Sequence, residues 1–451
     1  MSGGASQSGT IYGHPRGLAY LAFTEMWERF SYYGMTALLT LYMVKQLLLP
    51  GHAENVFGLD ALRSLFEFRG PMSDLAFASL IYGWYGGLVY FTPILGGLIA
   101  DRWLGAKRTV VIGALLMSAG HLAMSFDASF LVALALLILG SGCLKGNISA
   151  QVGTLYPQAA TSLRERGFTI YSTGINIGAV LGPLATASVA AVYGWHTGFA
   201  VAAALMLLAL VIYLAGQRHL PEAPVVRSDG ETKATLTSGE KRISRALVAV
   251  IALNIPISIA YPMLWSIGVV WIDAEVHLAT GLGAVPAGWF NSLDSLGSIL
   301  AAAPLVAHWA AQARRKAEPT SLTKLAIGAV IMALSIMLLS IGSLMADAEG
   351  KVAVWWAIAC YIGAGLAFMW YWPVTLSIVS ALAPSLVKST LMGGAFVALF
   401  IGTVIMGWVG SFYDQMTPAA FWALDAGIAF AGALLILAVR RPLMRALTPT
   451  T

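Results

Sequence analysis

The chain has 451 residues, 58% of them hydrophobic and 10% charged, with 26 basic against 21 acidic side chains and a net charge of +5. Globular domains usually carry charge on about a quarter of their residues, so a water-facing surface cannot be built here and a soluble protein is excluded. The small basic excess lies in loops between apolar runs, which argues against nucleic acid as a partner.

The segment before Gly17 is rich in Gly and Ser and has no apolar core of its own. The first long apolar run carries Glu25, Glu28 and Arg29, so it reads as a retained helix and not as a cleaved signal peptide. Apolar runs of bilayer-spanning length are predicted at 17–48, 74–100, 108–126, 128–154, 168–191, 195–216, 245–276, 286–311, 321–346, 351–382, 387–413 and 417–439. The longest polar stretch, 217–242, has no apolar face and contains Pro221, Pro224, Ser228, Asp229 and Gly230. It divides the chain into an N-terminal bundle (1–216), a linker (217–244) and a C-terminal bundle (245–451), each bundle with six spans.

Arg102, Lys107, Arg108, Arg164, Arg166, Arg218, Lys241, Arg242, Arg314, Arg315, Lys316, Lys388, Arg440, Arg441 and Arg445 fall on one side of these spans. Only Lys45, Arg63, Arg69 and Lys351 fall on the other. Cytoplasmic loops retain positive charge, so both termini are expected in the cytoplasm. Each half carries a basic loop after its second span, at 101–108 and 308–316. Two six-helix halves around a central cavity are the plan of the major facilitator superfamily. The run Gly97-Leu98-Ile99-Ala100-Asp101-Arg102, followed by Gly105, Lys107 and Arg108, resembles that superfamily's signature loop. The expected fold is therefore an all-α membrane protein of about twelve transmembrane helices. Cys143 and Cys360 fall inside apolar runs, where a thiol packs as a small hydrophobe, and no metal or disulfide is expected.

Ionisable residues inside a bilayer cost about 2.5–3.5 kcal/mol each on insertion scales, so each must be paired or face a wet cavity. In the first span Glu25, Glu28, Arg29 and Tyr32 stand at i, i+3, i+4 and i+7, on one face of a helix. The fourth span adds Lys145. Two acids and two bases sum to zero until a proton arrives. A structural charge cluster would tie helices together with fewer groups. A proton relay uses all four, because protonating one carboxylate frees a cation for an anionic substrate.

The string Glu25-x-x-Glu28-Arg29-Phe30-Ser31-Tyr32-Tyr33-Gly34 resembles the first-helix signature of the proton-dependent oligopeptide transporter (POT/PTR) family. Tyr90, Gly96-Gly97-x-x-Ala100-Asp101-Arg102, Lys145 with Asn147, and Gly174-Ile175-Asn176-Ile177-Gly178 leading to Gly182-Pro183 are similar to it as well. Matches in the second half are thinner: Trp289-Phe290-Asn291-Ser292-Leu293, Pro373-Val374-x-Leu376-Ser377, and Leu382-Ala383-Pro384 before Met392-Gly393. Relative to the family pattern, Thr36 replaces a basic residue and the stretch 260–267 lacks a glutamate, as though one ion pair between the first and seventh helices were lost together. Phe368 stands where the family has the glutamate that receives a peptide's amino group, Ala395 where a Trp often lines the pocket, and Asp294 where Asn is usual. Asp294 either supplies the missing negative charge or is a buried carboxyl bonded to Asn291 or Ser295.

The resemblance implies a proton-coupled symporter that imports di- and tripeptides by alternating access. Glu25, Glu28, Arg29 and Lys145 are then the coupling residues, with no cofactor beyond the proton. Arg29 and Lys145 meet the peptide carboxylate, Tyr32, Tyr90 and Asn176 its backbone, and Asp294 its ammonium group. In that mechanism proton loss restores a Glu28–Lys145 attraction and expels the carboxylate. A symporter of an amino acid or other small anion, or a non-transporting membrane sensor, are the other readings. No Ser-His-Asp set, HExxH string or phosphate loop suggests an enzyme. The segment 347–351 is too short for the extracellular domain of animal members, so the expected location is a bacterial inner membrane, with the chain acting as a monomer. Trp27, Tyr33, Trp84, Tyr85, Trp370 and Trp372 read as packing or interfacial aromatics, and Gly86, Gly87, Gly140, Gly142, Gly363 and Gly365 as close-packing positions.

Overall fold

A computed structural model describes residues 10–157, 161–221, 236–281 and 283–448. The apolar runs become helices α1 (Arg16–Tyr42), α3 (Asp74–Ile99), α4 (Gly105–Ala123), α5 (Phe130–Thr154), α6 (Thr161–Tyr193) and α7 (Trp195–Gly216), with a short helix α2 (Leu59–Phe66) between the first two spans. The second half supplies α8 (Ser238–Ala252), α9 (Ile255–Met263), α10 (Ile267–Glu275), α11 (Phe290–Arg314), α12 (Ser321–Leu344), α13 (Val354–Leu382), α14 (Lys388–Gly410) and α15 (Pro418–Leu447). Two hairpins of two-residue strands, β1 (Thr10–Ile11) with β2 (His14–Pro15) and β3 (Ala279–Thr280) with β4 (Gly283–Ala284), are the only named strands among the described residues.

Among the described residues, ten helical stretches are long and apolar enough to cross a membrane. One of them, Asp74–Ala123, is 50 residues, about 75 Å at 1.5 Å per residue and far beyond a bilayer's apolar core. It breaks at the π-helical turn Ala100–Leu104 and at Gly105, whose φ of 75° suits glycine alone, so it makes two spans. Adding α1, whose length suits a span although it carries Arg16, Glu25, Glu28 and Arg29, gives twelve spans among the described residues, as expected from sequence. The chain is a multi-pass, all-helical membrane protein.

Boundaries differ from expectation in three places. The run predicted at 245–276 is three helices, because Pro256 and Pro262 cannot complete an unbroken backbone ladder. Its first break is served by side chains: Asn254 Nδ2 donates to the Val250 carbonyl at 2.8 Å, and Thr375 Oγ1 donates to Asn254 Oδ1 at 2.8 Å. α15 continues past 439 to Leu447, its last turns carrying Arg440, Arg441 and Arg445 at an exposed end. α6 begins at Thr161 instead of 168, and a single residue, Gly194 at φ 88°, turns it into α7. Of the predicted linker, 222–235 lies outside the described residues; beyond it Thr237 and Glu240 form a capping box that starts α8.

By internal packing the chain forms two compact units. Unit 1 is Met1–Thr36, Glu54–Gly58 and Phe91–Asp229. Unit 2 is Ala37–Ala53, Leu59–Tyr90 and Gly230–Thr451.

Small residues set the spacing of the helices within each unit. On α6, a Cβ added to Gly174, Gly178 or Gly182 would stand 2.9, 2.3 and 2.5 Å from the carbonyl oxygens of Ala22, Met26 and Phe30 in α1. This i, i+4, i+8 stripe brings the two backbones into direct contact, as small-residue faces do between membrane helices. In unit 2, Gly365 of α13 meets the Asp294 carbonyl in the same way, at 2.1 Å. The close-packing reading of Gly87, Gly140, Gly142, Gly363 and Gly365 agrees with these clearances, all below 3.0 Å, whereas Gly86 has 3.1 Å.

Candidate charge cluster and acid site

The first site lies in unit 1. α1 buries Glu25, Glu28, Arg29 and Tyr32, the most exposed of which shows 7% of its surface. Their i, i+3, i+4 spacing turns all of them to one face, and the guanidinium links the acids. Arg29 Nη2 donates to Glu28 Oε1 at 2.6 Å, Arg29 Nε pairs with Glu28 Oε2, and Nε also lies 3.2 Å from Glu25 Oε1. The fork-shaped contact with Glu28 is the strong, directional form of a carboxylate pair.

Lys145 enters from α5, half-buried, with its ammonium 4.5 Å from the centre of the Tyr32 ring and within electrostatic range of Glu25, Glu28 and Arg29. Arg29 lies 5.3 Å from the same ring and 6.0 Å from that of Tyr33. Two cations therefore share one tyrosine, whose electron-rich face lowers the cost of holding them in a dry site. Glu28 gives both oxygens to Arg29, its neighbour on the same helix, while the attraction expected between Glu28 and Lys145 acts over a longer electrostatic range.

The sequence motifs around the cluster are largely its scaffold. The glycine stripe of α6 holds α1 in place. Asn147 donates to the Cys143 carbonyl at 2.8 Å and to Gly96 at 3.3 Å, and a Cβ on Gly96 would come within 2.0 Å of Gly142. The pairing of Gly96 with Asn147 thus locks the inner part of α3 against α5, two residues from Lys145. Tyr171 is a member of the site that motif reading misses. It is buried on α6 against Glu25, and its hydroxyl is 3.3 Å from Ser149. Its spacing of 171, 174, 178 and 182 with the glycines is the signal that marks it as facing α1. Asn176 is exposed on α6, and Tyr90 belongs to unit 2, where it lies in range of Tyr371.

The second site lies in unit 2. Asp294 of α11 is 2% exposed. Its Oδ2 accepts from the Tyr261 hydroxyl at 2.6 Å and from Trp265 Nε1 at 3.1 Å, while Oδ1 has no hydrogen-bond partner among the described residues. Both donors come from the seventh span, and neither is Asn291 or Ser295, the partners named in the buried-carboxyl alternative. Nor does the Asn291 amide have a partner among the described residues, though it is buried. Phe368 packs its ring 5.6 Å from both Tyr261 and Tyr371, forming an apolar wall one side chain from the acid. A search of 260–267 for acids alone overlooks the phenol and indole donors there.

The lost ion pair between the first and seventh helices has neutral replacements. Thr36 turns its hydroxyl to the carbonyls of Tyr32 at 3.0 Å and Tyr33 at 3.1 Å. One turn on, Thr40 and Ser266 share a buried 3.1 Å hydrogen bond, and Lys45 forms an ion pair with Asp273 beyond it. A second buried acid that sequence reasoning passes over, Asp425 of α15, has no partner for either oxygen among the described residues. No group of His, Cys, Asp and Glu able to hold a metal ion occurs among the described residues, whose two cysteines are free.

A profile of the POT family (PTR2) matches residues 107–236 and 228–423. The chain is 28% identical to a di-/tripeptide transporter of Lactococcus lactis subsp. cremoris, over 97% of each chain. It is also 28% identical to the uncharacterized transporter YclF of Bacillus subtilis, over 95% of this chain and 94% of that one. Its structure superposes on a crystal structure of peptide transporter POT in complex with sulfate, with a TM-score of 0.85, 27% identity and 98% of both chains covered. The architecture is accordingly the major facilitator fold expected from the two halves, and the profile extends over more than half of the sequence. On that extent of agreement, this protein belongs to the POT family.

Proposed function

We propose that this protein is a proton-coupled symporter that imports di- and tripeptides by alternating access, with both termini in the cytoplasm of a bacterial cell and the inner membrane as its location. The observation that carries the reading is Arg29 bound between Glu25 and Glu28 on a buried face of α1, with Lys145 against the same tyrosine. In this reading a proton taken by Glu25 or Glu28 weakens its hold on Arg29. The released guanidinium, with Lys145, then receives the peptide carboxylate. Loss of the proton on the other side restores the Glu28–Arg29 fork and expels the carboxylate. Tyr32, Tyr90 and Asn176 serve the peptide backbone. Asp294, with one oxygen held by Tyr261 and Trp265 and the other uncommitted, takes the ammonium group.

The coupling ion is the proton, with no other cofactor. The functional halves are the bundles 1–216 and 245–451, joined by 217–244, and the monomer is the working unit. The relatives' names support the substrate class, since one is a di-/tripeptide transporter and another a peptide transporter.

A second reading is symport of a smaller solute such as an amino acid or inorganic anion. Phe368 favours it, because an aromatic wall on α13 offers no charge to an amino group. Counterflow into liposomes separates the two. A labelled dipeptide should exchange against di- and tripeptides and not against free amino acids or nitrate. Exchange against amino acids or nitrate alone would overturn the peptide reading.

A further inference from the structure

The residues from Leu59 to Arg69 read LDALRSLFEFR, and at 100° per residue they sort into three arcs. Leu59, Leu62 and Phe66 form the first. Arg63, Glu67, Asp60 and Ser64 form the second. Ala61 and Leu65 form the third, which Phe68 continues in the 3-10 turn Glu67–Arg69 that follows α2.

The first arc is the covered one. Leu59 is 2% exposed, and Phe66 meets Phe77 of α3 edge-on, with centroids 6.0 Å apart. The second arc carries the fastening. Arg63 donates to Glu67 Oε1 at 3.0 Å, to Asp74 Oδ1 at 2.9 Å and to the Met72 carbonyl at 3.2 Å, with its guanidinium 5.3 Å from the centre of the Phe77 ring. The hydrogen bond from Arg63, with another from the Met72 backbone N–H, holds the Glu67 carboxyl below the usual carboxylate range. The third arc is the exposed one: Leu65 is 65% and Phe68 75% exposed.

The height of this helix relative to the bilayer follows from what it is tied to. Asp74 is the first residue of α3 and Phe77 lies three residues along it, about 5 Å at 1.5 Å per residue. α2 therefore lies beside the first turn of a membrane span, at the depth where an amphipathic helix sinks about 5–10 Å into the boundary between headgroups and acyl chains. A water-exposed loop helix gains nothing from a leucine and a phenylalanine on one open arc. At the bilayer boundary the same arc completes a half-apolar, half-polar cylinder, with protein on one apolar quarter and lipid on the other.

We propose that α2 and the following turn form an interfacial anchor, with Leu65 and Phe68 inserted in the leaflet on the side of the loop between the first two spans. The partner is the lipid surface itself, bound through apolar contact, and the proposal is independent of the substrate transported.

The test uses the full chain with Cys143→Ser, since Cys360 is wholly buried. Leu65→Cys, Phe68→Cys and Ser64→Cys are labelled singly with bimane in phosphatidylcholine liposomes. Labels at 65 and 68 should be quenched by doxyl-phosphatidylcholine and shielded from iodide several-fold relative to 64. Iodide quenching equal at all three positions would place the arc in water and overturn the anchor. Shielding from both quenchers would mean that protein, such as a second copy of this chain, covers it, and would overturn the lipid assignment. Nitroxide labels at the same positions, read by oxygen against nickel-chelate accessibility, give the same decision without the bulk of the fluorophore.

Discussion

Replacing Glu28 by glutamine removes a carboxylate and almost nothing else. The cluster of Glu25, Glu28, Arg29 and Lys145 goes from two charges of each sign to a net +1. Arg29 loses the 2.6 Å contact from Nη2 and the paired contact from Nε, and keeps Glu25 at 3.2 Å. Stripping one partner from a buried pair costs about 3–5 kcal/mol when the other is left alone. With Glu25 still in place the cost falls to about 3 kcal/mol or less, so the variant should fold. Its transport should change in kind. For one proton per peptide, a gradient of one pH unit provides about 1.4 kcal/mol, enough for roughly tenfold accumulation. Proteoliposomes held one pH unit more acidic outside should reach that ratio with the unaltered protein. With Glu28→Gln they should stop near equal concentrations, while counterflow of labelled dipeptide persists, because exchange needs no net proton release. Full accumulation by the variant would refute Glu28 as the coupling acid. Loss of counterflow together with accumulation would mean that Glu28 only positions Arg29.

Three further outcomes follow from the geometry. Lys145→Ala should cut dipeptide transport, and Lys145→Gln should not restore it, whereas peptides amidated at the C-terminus should already be poor substrates; equal transport of amidated and free peptides would exclude the carboxylate clamp. Asp294→Asn keeps the size of the side chain and removes its charge, so affinity for free-amino dipeptides should fall about tenfold or more, the worth of a charge-assisted hydrogen bond, with a much smaller change for N-acetylated ones; equal losses in competition assays would make Asp294 structural. Gly178→Ala puts a methyl 2.3 Å from the Met26 carbonyl, forcing α1 off α6 at about 1–3 kcal/mol of overpacking, and should lower both the melting temperature and uptake, while Gly97→Ala, whose Cβ meets nothing within 4 Å, should change neither.

Much of this protein is written in the order of its residues. Bilayer thickness imposes a length on every span, so apolar runs alone locate the helices to within a few residues over most of the chain. The cost of charge in lipid makes Glu25, Glu28, Arg29 and Lys145 conspicuous, and the period of the helix by itself puts the first three on one face. What the sequence leaves open is which oxygen meets which donor, because that depends on contacts between residues far apart in the chain. Glu28 gives both its oxygens to Arg29, an adjacent guanidinium that offers a two-toothed contact. Asp294 found Tyr261 and Trp265, 33 and 29 residues away, instead of Asn291 one turn back. The seating of α2 beside Phe77 likewise came from packing. Periodicity fixes the direction in which a side chain leaves its helix, and only the tertiary structure decides what stands there to receive it.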